Sequence, residues 1–138
     1  MSAAVTSVDS IPQVLSGLRT AFNSGKTKSL KWRKEQLEGL LLLFDEQKNL
    51  FASAAKADFH RPEHETLMFD CASIRSECVY ALNHIDEWVK DEKKSDALLF
   101  ANMDKYVQSE PYGVSLIIGA WNYPFLVTLV PLVGSIAA

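Results

Sequence analysis

The 138 residues predict the mostly helical part of an α/β protein: a long helical hairpin, a short β-excursion, and one buried strand running into a helix. Three observations carry this. Two long segments place apolar residues at alternating four- and three-residue steps, the period of an amphipathic helix. A near-continuous apolar run, Val114 to Ile118, then ends in Gly119 and Asn-Tyr-Pro, as does a strand buried on both faces of a parallel sheet. The chain also carries no charge after Glu110, although Asn122 sits in the middle of that stretch. Ligand sites of α/β proteins lie at the carboxyl ends of such strands. One parallel strand forms no sheet, so the sequence announces a site whose remaining walls lie outside it.

The elements follow in order. Residues 1–9 are small and polar and are expected to fray. Ser10 caps a helix over about 10–24, with Pro12 in its first turn and Val14, Leu15, Leu18 and Phe22 on its apolar face; Asn23-Ser24-Gly25 stops it. A second helix, about 27–57, carries Leu37, Leu41, Phe44, Phe51 and Ala55, broadened by Leu40 and Leu43 and interrupted at Lys48. Asp58 to Arg61 break it, and Pro62 opens a third helix, about 62–89, whose first turn holds Glu63 and Glu65. Leu67, Cys71, Ile74, Cys78, Ala81, Ile85 and Trp88 form its stripe, and the two stripes predict an antiparallel hairpin. Asp91 to Ser95 is a charged break. A short strand is expected at about 105–109, a turn at Pro111-Tyr112-Gly113, the buried strand at about 114–119, and a helix from about 124, started by Pro124.

Composition narrows the function. A net charge of −3 gives no reason to expect nucleic acid or an acidic membrane as partner. The run Lys26, Lys28, Lys31, Arg33, Lys34 reads as a solvated helix face. The N-terminus lacks the basic and apolar regions of a secretory signal, so the cytosol, or the cytosolic face of a membrane, is the default. The uncharged last quarter exceeds the length of a membrane span. Pro111, Pro124 and Pro131 punctuate it and Asn122 would sit near its centre, so a membrane-anchored helical protein is the weaker reading. Cys71 and Cys78 lie two helical turns apart, roughly 10.5 Å, beyond the roughly 7 Å reach of a disulfide; they read as small buried hydrophobes. His60 and His64 have a chelating spacing but no third ligand, and Pro62 lies between them, so no metal is expected.

Longer motifs point to a family. Glu110, Pro111, Gly113 and Val114 form E-P-x-G-V, Ile117 to Phe125 read I-I-G-A-W-N-Y-P-F, and Pro131 to Ala138 fit P-L-V-G-x-I-A-A. With the softer upstream matches over Phe22–Leu37 and Ala57–Thr66, the chain resembles the aldehyde dehydrogenase superfamily, and its class 3 (fatty or aromatic aldehyde) branch in particular. The resemblance implies that residues 10–138 are an incomplete N-terminal part of a Rossmann-type cofactor-binding domain. It implies an enzyme, in the family a homodimer, that oxidises a small-molecule aldehyde to a carboxylic acid with NAD or NADP as hydride acceptor. The family's glycine-rich cofactor turn, glutamate base and cysteine nucleophile match nothing in these residues, so the chain by itself is expected to be inactive. A non-catalytic truncated product that binds a full-length partner is the alternative.

The resemblance also proposes roles. A buried carboxamide needs partners, and Asn122 by its position alone reads as a cap closing the strand-to-helix turn. The family instead makes the asparagine of W-N-Y-P an oxyanion donor, a task that suits a group that does not titrate. By the same resemblance Ile118, Gly119, Ala120 and Trp121 run along the nicotinamide end of the cofactor, and Tyr123 and Phe125 line an apolar aldehyde channel. From the sequence alone Gly119 is equally a tight strand exit, and the two rings are equally core aromatics.

Overall fold

The computed structural model of the chain describes residues 7–95 and 103–138. The first six residues of the expected frayed terminus, and residues 96–102 before the strand expected at about 105–109, lie outside the described residues. Val8–Ser10 make one 3-10 turn, capped by Ser7, whose Oγ accepts from the Asp9 N–H at 3.3 Å. The turn leads into α1 (Ile11–Asn23), which has Pro12 in its first turn. Gly25, at φ 77°, takes the left-handed conformation that ends a helix without strain at a residue lacking Cβ. α1 buries none of its residues, and Val14 and Leu18 stay exposed.

α2 (Leu30–Phe59) starts at Ser29, whose hydroxyl accepts from the Trp32 N–H at 3.4 Å. It ends at His60, the one non-glycine among the described residues with positive φ, at 59°. Three segments follow in one helical run: α3 (Glu63–Glu65), a π turn (Thr66–Cys71) and α4 (Ala72–Trp88). The π turn is the departure from the expected regular helix over 62–89. Its extra residue buries Asp70 beside Cys71 and Thr66, where a regular helix would turn one of them away. The Thr66 hydroxyl finds no partner among the described residues.

α2 and α4 run antiparallel, bridged by Lys34–Asp86 (2.6 Å) near one end and Asp45–Arg75 (2.8 Å) further along. Between them lie Leu37, Phe44, Ile74, Cys78, Ala81 and Ile85, all buried. Leu43 and Trp88, assigned to the stripes, are exposed. Leu43 lies off the seam defined by Leu37, Phe44 and Phe51. The Trp88 ring lies along α4, stacked on His84 at 6.0 Å, and does not cross the seam.

The β-excursion is shorter than expected. β1 (Glu92–Lys93) and β2 (Tyr106–Val107) pair antiparallel, Glu92 opposite Val107 and Lys93 opposite Tyr106. Residues 114–119, expected as a strand buried on both faces, form none: Leu116 and Ile118 are each 85% exposed. The physical reason is pairing. A strand exists only against a neighbour, and no described segment lies hydrogen-bonded alongside this run. It is an extended apolar ribbon, tied down where Ser135 Oγ donates to Ser115 Oγ at 2.8 Å.

α5 (Leu126–Ala137) completes the core by burying Val133 and Ala137 against α2 and α4. It begins at Leu126, not at Pro124, which lies in the preceding turn. Both ends of this uncharged helix are held by charged side chains of the hairpin. The Leu126 N–H donates to Asp70 Oδ1 at 2.9 Å, and Arg33 donates to the Ala137 carbonyl at 3.3 Å. Arg33 therefore does not belong to a solvated basic face: it is 8% exposed and also donates to the Thr27 carbonyl. Among the described residues, no helix is long and apolar enough to cross a membrane.

Candidate functional site

The residues singled out at positions 118–125 occupy the passage between the ribbon and α5, and the hairpin holds that passage through one arginine. Arg61 stands between the left-handed His60 and Pro62, at the corner where α2 ends. Its side chain is 9% exposed. One end of the guanidinium donates to Asp70 Oδ2 at 2.8 Å and another nitrogen donates to the Asn122 carbonyl oxygen. The plane lies over the Tyr123 ring at 4.3 Å and over Phe59 at 5.0 Å, and Nε is 3.7 Å from Glu65 Oε2. A planar fork with five donors suits this multiple engagement, and stacking on aromatic faces adds to it.

Asp70 is fully buried, and both of its oxygens are used, Oδ2 by Arg61 and Oδ1 by the Leu126 N–H. A buried carboxylate is tolerated when it is paired and hydrogen-bonded. Here both partners bear on the loop that carries Asn122.

Asn122 itself is exposed, and only its backbone is fixed. Its carboxamide makes no hydrogen bond to protein among the described residues. It does not cap α5, the role its position suggested, because Asp70 already takes the first free N–H of that helix. Tyr123 is half-buried, held between Arg61 and the edge of Phe69 (6.4 Å, 82°). Phe125 turns the other way, into the core, edge-on to Phe51 at 4.9 Å, which in turn stacks on Phe44 at 4.8 Å. Asn122, Tyr123 and Phe69 thus share one neighbourhood, and Phe125 supports it from beneath.

Ile118, Ala120 and Trp121 are exposed, and the backbone from Val114 to Trp121 makes no hydrogen bond to another backbone segment among the described residues. Gly119 is required by packing: a Cβ there would collide with Thr128 Oγ1 on α5. A cavity of about 250 Å³ lies away from this loop, between α1, residues 111–117 and the last turn of α5, lined by Phe22, Trp32, Val114 and Ile136 among others.

Neither cysteine is poised to react. Burial, and then the Asp70 charge, pushes the Cys71 thiol up, and burial pushes Cys78 up to about 11. Among the described residues no group of three or more histidine, cysteine or acidic side chains could hold a metal.

Arg61, Asp70 and Phe69 were not anticipated from the sequence. The signal for Asp70 was present: it stands three residues after Leu67 and four before Ile74, on the apolar stripe itself, where a carboxylate requires a partner.

Comparison with known proteins agrees with the motifs. The sequence model described as "Aldehyde dehydrogenase family" matches residues 2–138. An "Aldehyde dehydrogenase, dimeric NADP-preferring" of Canis lupus familiaris is 41% identical over 128 residues, covering 93% of this chain and 28% of that protein. An "Aldehyde dehydrogenase" of Craterostigma plantagineum is 40% identical over 125 residues, with 91% and 26% covered. The "Aldehyde dehydrogenase family 3 member B1" of Rattus norvegicus is 40% identical over 131 residues, with 95% and 28% covered. Among solved structures, "Substrate bound state of Staphylococcus Aureus AldH" superposes with a TM-score of 0.88 at 28% identity, over 92% of this chain and 28% of that one. The chain spans little more than a quarter of the length of these relatives.

Proposed function

The chain belongs to the aldehyde dehydrogenase family, and on that premise we propose that it supplies the oxyanion donor for oxidation of an aldehyde to a carboxylic acid. The observation that carries this reading is the state of Asn122: backbone held by a buried arginine, carboxamide exposed and unspent. When a thiolate adds to an aldehyde carbon, negative charge develops on the carbonyl oxygen. A pre-aimed amide N–H₂ donates to that oxygen without itself changing protonation. The attacking thiolate is neither Cys71 nor Cys78, which are buried and held in the neutral form. The nucleophile and the base that activates water come from the remainder of the complete enzyme.

NAD or NADP is the hydride acceptor in this reading, and the name of the dog relative favours NADP. Ile118, Ala120 and Trp121 would hold its nicotinamide end: their exposed side chains and unpaired backbone suit a flat ring. Gly119 contributes differently, since its missing side chain makes room for Thr128 and not for a ligand. Tyr123, with Phe69 beside it, lines the apolar approach for the aldehyde, and Phe125 backs it from the core. A homodimer and a cytosolic location complete the proposal. A second reading, in which the chain alone binds a full-length partner, has the exposed apolar ribbon in its favour.

Asn122→Ala in the complete enzyme tests the main reading. Turnover is expected to fall about a hundredfold or more with cofactor affinity near normal, the size of losing one oxyanion donor. A change confined to KM would move Asn122 to a binding role.

A further inference from the structure

We propose that Arg61 is the positioning residue of this site, fixing the Asn122 backbone so that the free carboxamide is aimed, and that Asp70 anchors Arg61 in place. The inference rests on the reading of Asn122 as oxyanion donor.

Four observations lead to it. Because the carboxamide has no protein partner among the described residues, its direction can come only from the backbone beneath it. That backbone leaves an extended ribbon without ladder hydrogen bonds, so nothing regular fixes it on the N-terminal side. Arg61 supplies the missing restraint: it donates to the Asn122 carbonyl and covers the ring of the next residue, Tyr123, at 4.3 Å. The guanidinium cannot swing away without abandoning Asp70 Oδ2 at 2.8 Å, and Asp70 is fully buried by the π turn.

The same carboxylate takes the Leu126 N–H on its other oxygen. Residues 122 and 126 are thus referenced to a single buried group, one through the arginine and one directly. Charge-assisted hydrogen bonds away from water are short and stiff. An arrangement that served stability alone would be as well met by apolar side chains of similar volume. The gain from this one is geometric.

The experiment is a mutant cycle in the complete enzyme that carries this chain. Arg61→Met is combined with Asp70→Asn, so that no unpaired charge stays buried while the introduced carboxamide oxygen can still accept from the Leu126 N–H. The pair is expected to lower kcat between about tenfold and a hundredfold with KM for the cofactor unchanged, as a misplaced catalytic group does. In the Asn122→Ala background the same pair should cost no further turnover, to within about twofold, because both act through one carboxamide.

Arg61→Lys keeps the charge beside Asp70, and so the fold, but loses the fork and the stack. Its kcat should fall between wild type and the pair, again with no further loss in the Asn122→Ala background. Melting temperature is followed throughout and, if the pair does not fold, Arg61→Lys alone decides. Losses that multiply with Asn122→Ala, or an unchanged kcat on altering Arg61, overturn the positioning role while leaving the oxyanion reading intact. An undiminished kcat for Asn122→Ala overturns both.

Discussion

The seam between α2 and α4 and the ribbon from Tyr112 to Trp121 are both strongly apolar, and they meet opposite fates. Leu37, Ile74 and Ile85 in the seam are fully buried, whereas Leu116, Ile118 and Trp121 in the ribbon are each more than 80% exposed. The difference is one of partner. A helix satisfies its own backbone, so its stripe needs only another stripe, which the hairpin supplies after a short turn. An extended run needs hydrogen-bonding neighbours on both sides before its side chains can be covered. Apolar content is therefore stability in one region and unfilled capacity in the other.

Four substitutions or conditions press on this contrast. The largest effect is expected from Ile74→Asp, which puts a charge into the filled seam: a cost of roughly 3 kcal/mol or more, with loss of helical circular dichroism. An unchanged melting curve would mean that the seam does not hold the chain together.

Asp70→Ala comes next. It leaves buried Arg61 with only the more distant Glu65 carboxylate, at 3.7 Å, and Leu126 without its acceptor, at a cost of about 3 kcal/mol. Hydrogen exchange at the Leu126 amide should accelerate while the Lys34–Asp86 end of the hairpin stays protected; uniform acceleration would show that α5 and the hairpin unfold as one unit.

Alkali should weaken the seam by a smaller amount. Cys78 is pushed up to about 11, so the fold prefers its neutral thiol. Below the unfolded thiol's pKa, about 8.5, both states hold the proton and stability does not change. From there to about 11 the unfolded chain alone loses it, and stability falls as pH rises, by roughly 2–3 kcal/mol in all. Cys78→Ser should flatten that slope, as measured by denaturant midpoints at pH 8 and above.

Leu116→Asp, in the ribbon, should shift stability by no more than about 0.5 kcal/mol. Its effect should appear in association: an exposed, uncharged, apolar edge pairs with copies of itself, and a charge interrupts it. Sedimentation of the wild-type chain and the variant at one concentration should show oligomers for the first only. A monodisperse wild type would mean that the ribbon is already satisfied.

The hairpin was legible because a helix declares itself through spacing. Leu37 and Phe44 on one side and Ile74, Cys78, Ala81 and Ile85 on the other are core residues in the sequence reading and in the fold. The π turn was not legible, since a single added residue per turn leaves the composition unchanged and moves only which neighbour faces inward. Arg33 was misread for a related reason. Five cations in nine residues suggest solvent, and nothing local says that one of them reaches a carbonyl about a hundred residues away. Residues 114–119 carried the right composition for a strand, but strandedness is a relation between segments. At the site, the W-N-Y-P motif named Asn122, yet the side chains that hold it are far away in sequence: Arg61 lies in the softer Ala57–Thr66 match, which gives it no role, and Asp70 lies outside every match.

α5 has no charge of its own, and the burial of apolar area by itself has no preferred direction. By that contribution alone a helix of this kind could lie in the groove either way round. The groove itself is polarised: Asp70 stands where the free N–H groups emerge and Arg33 where the last carbonyls end. Both complement the helix macrodipole as it now lies, and both would oppose it if the helix were reversed, each contribution being about 0.3–2 kcal/mol. The two ends add, so the forward and inverted dockings are separated by twice the sum. The hairpin thus acts as a keyed socket: the sense in which α5 inserts is written into its receptor as well as into the helix.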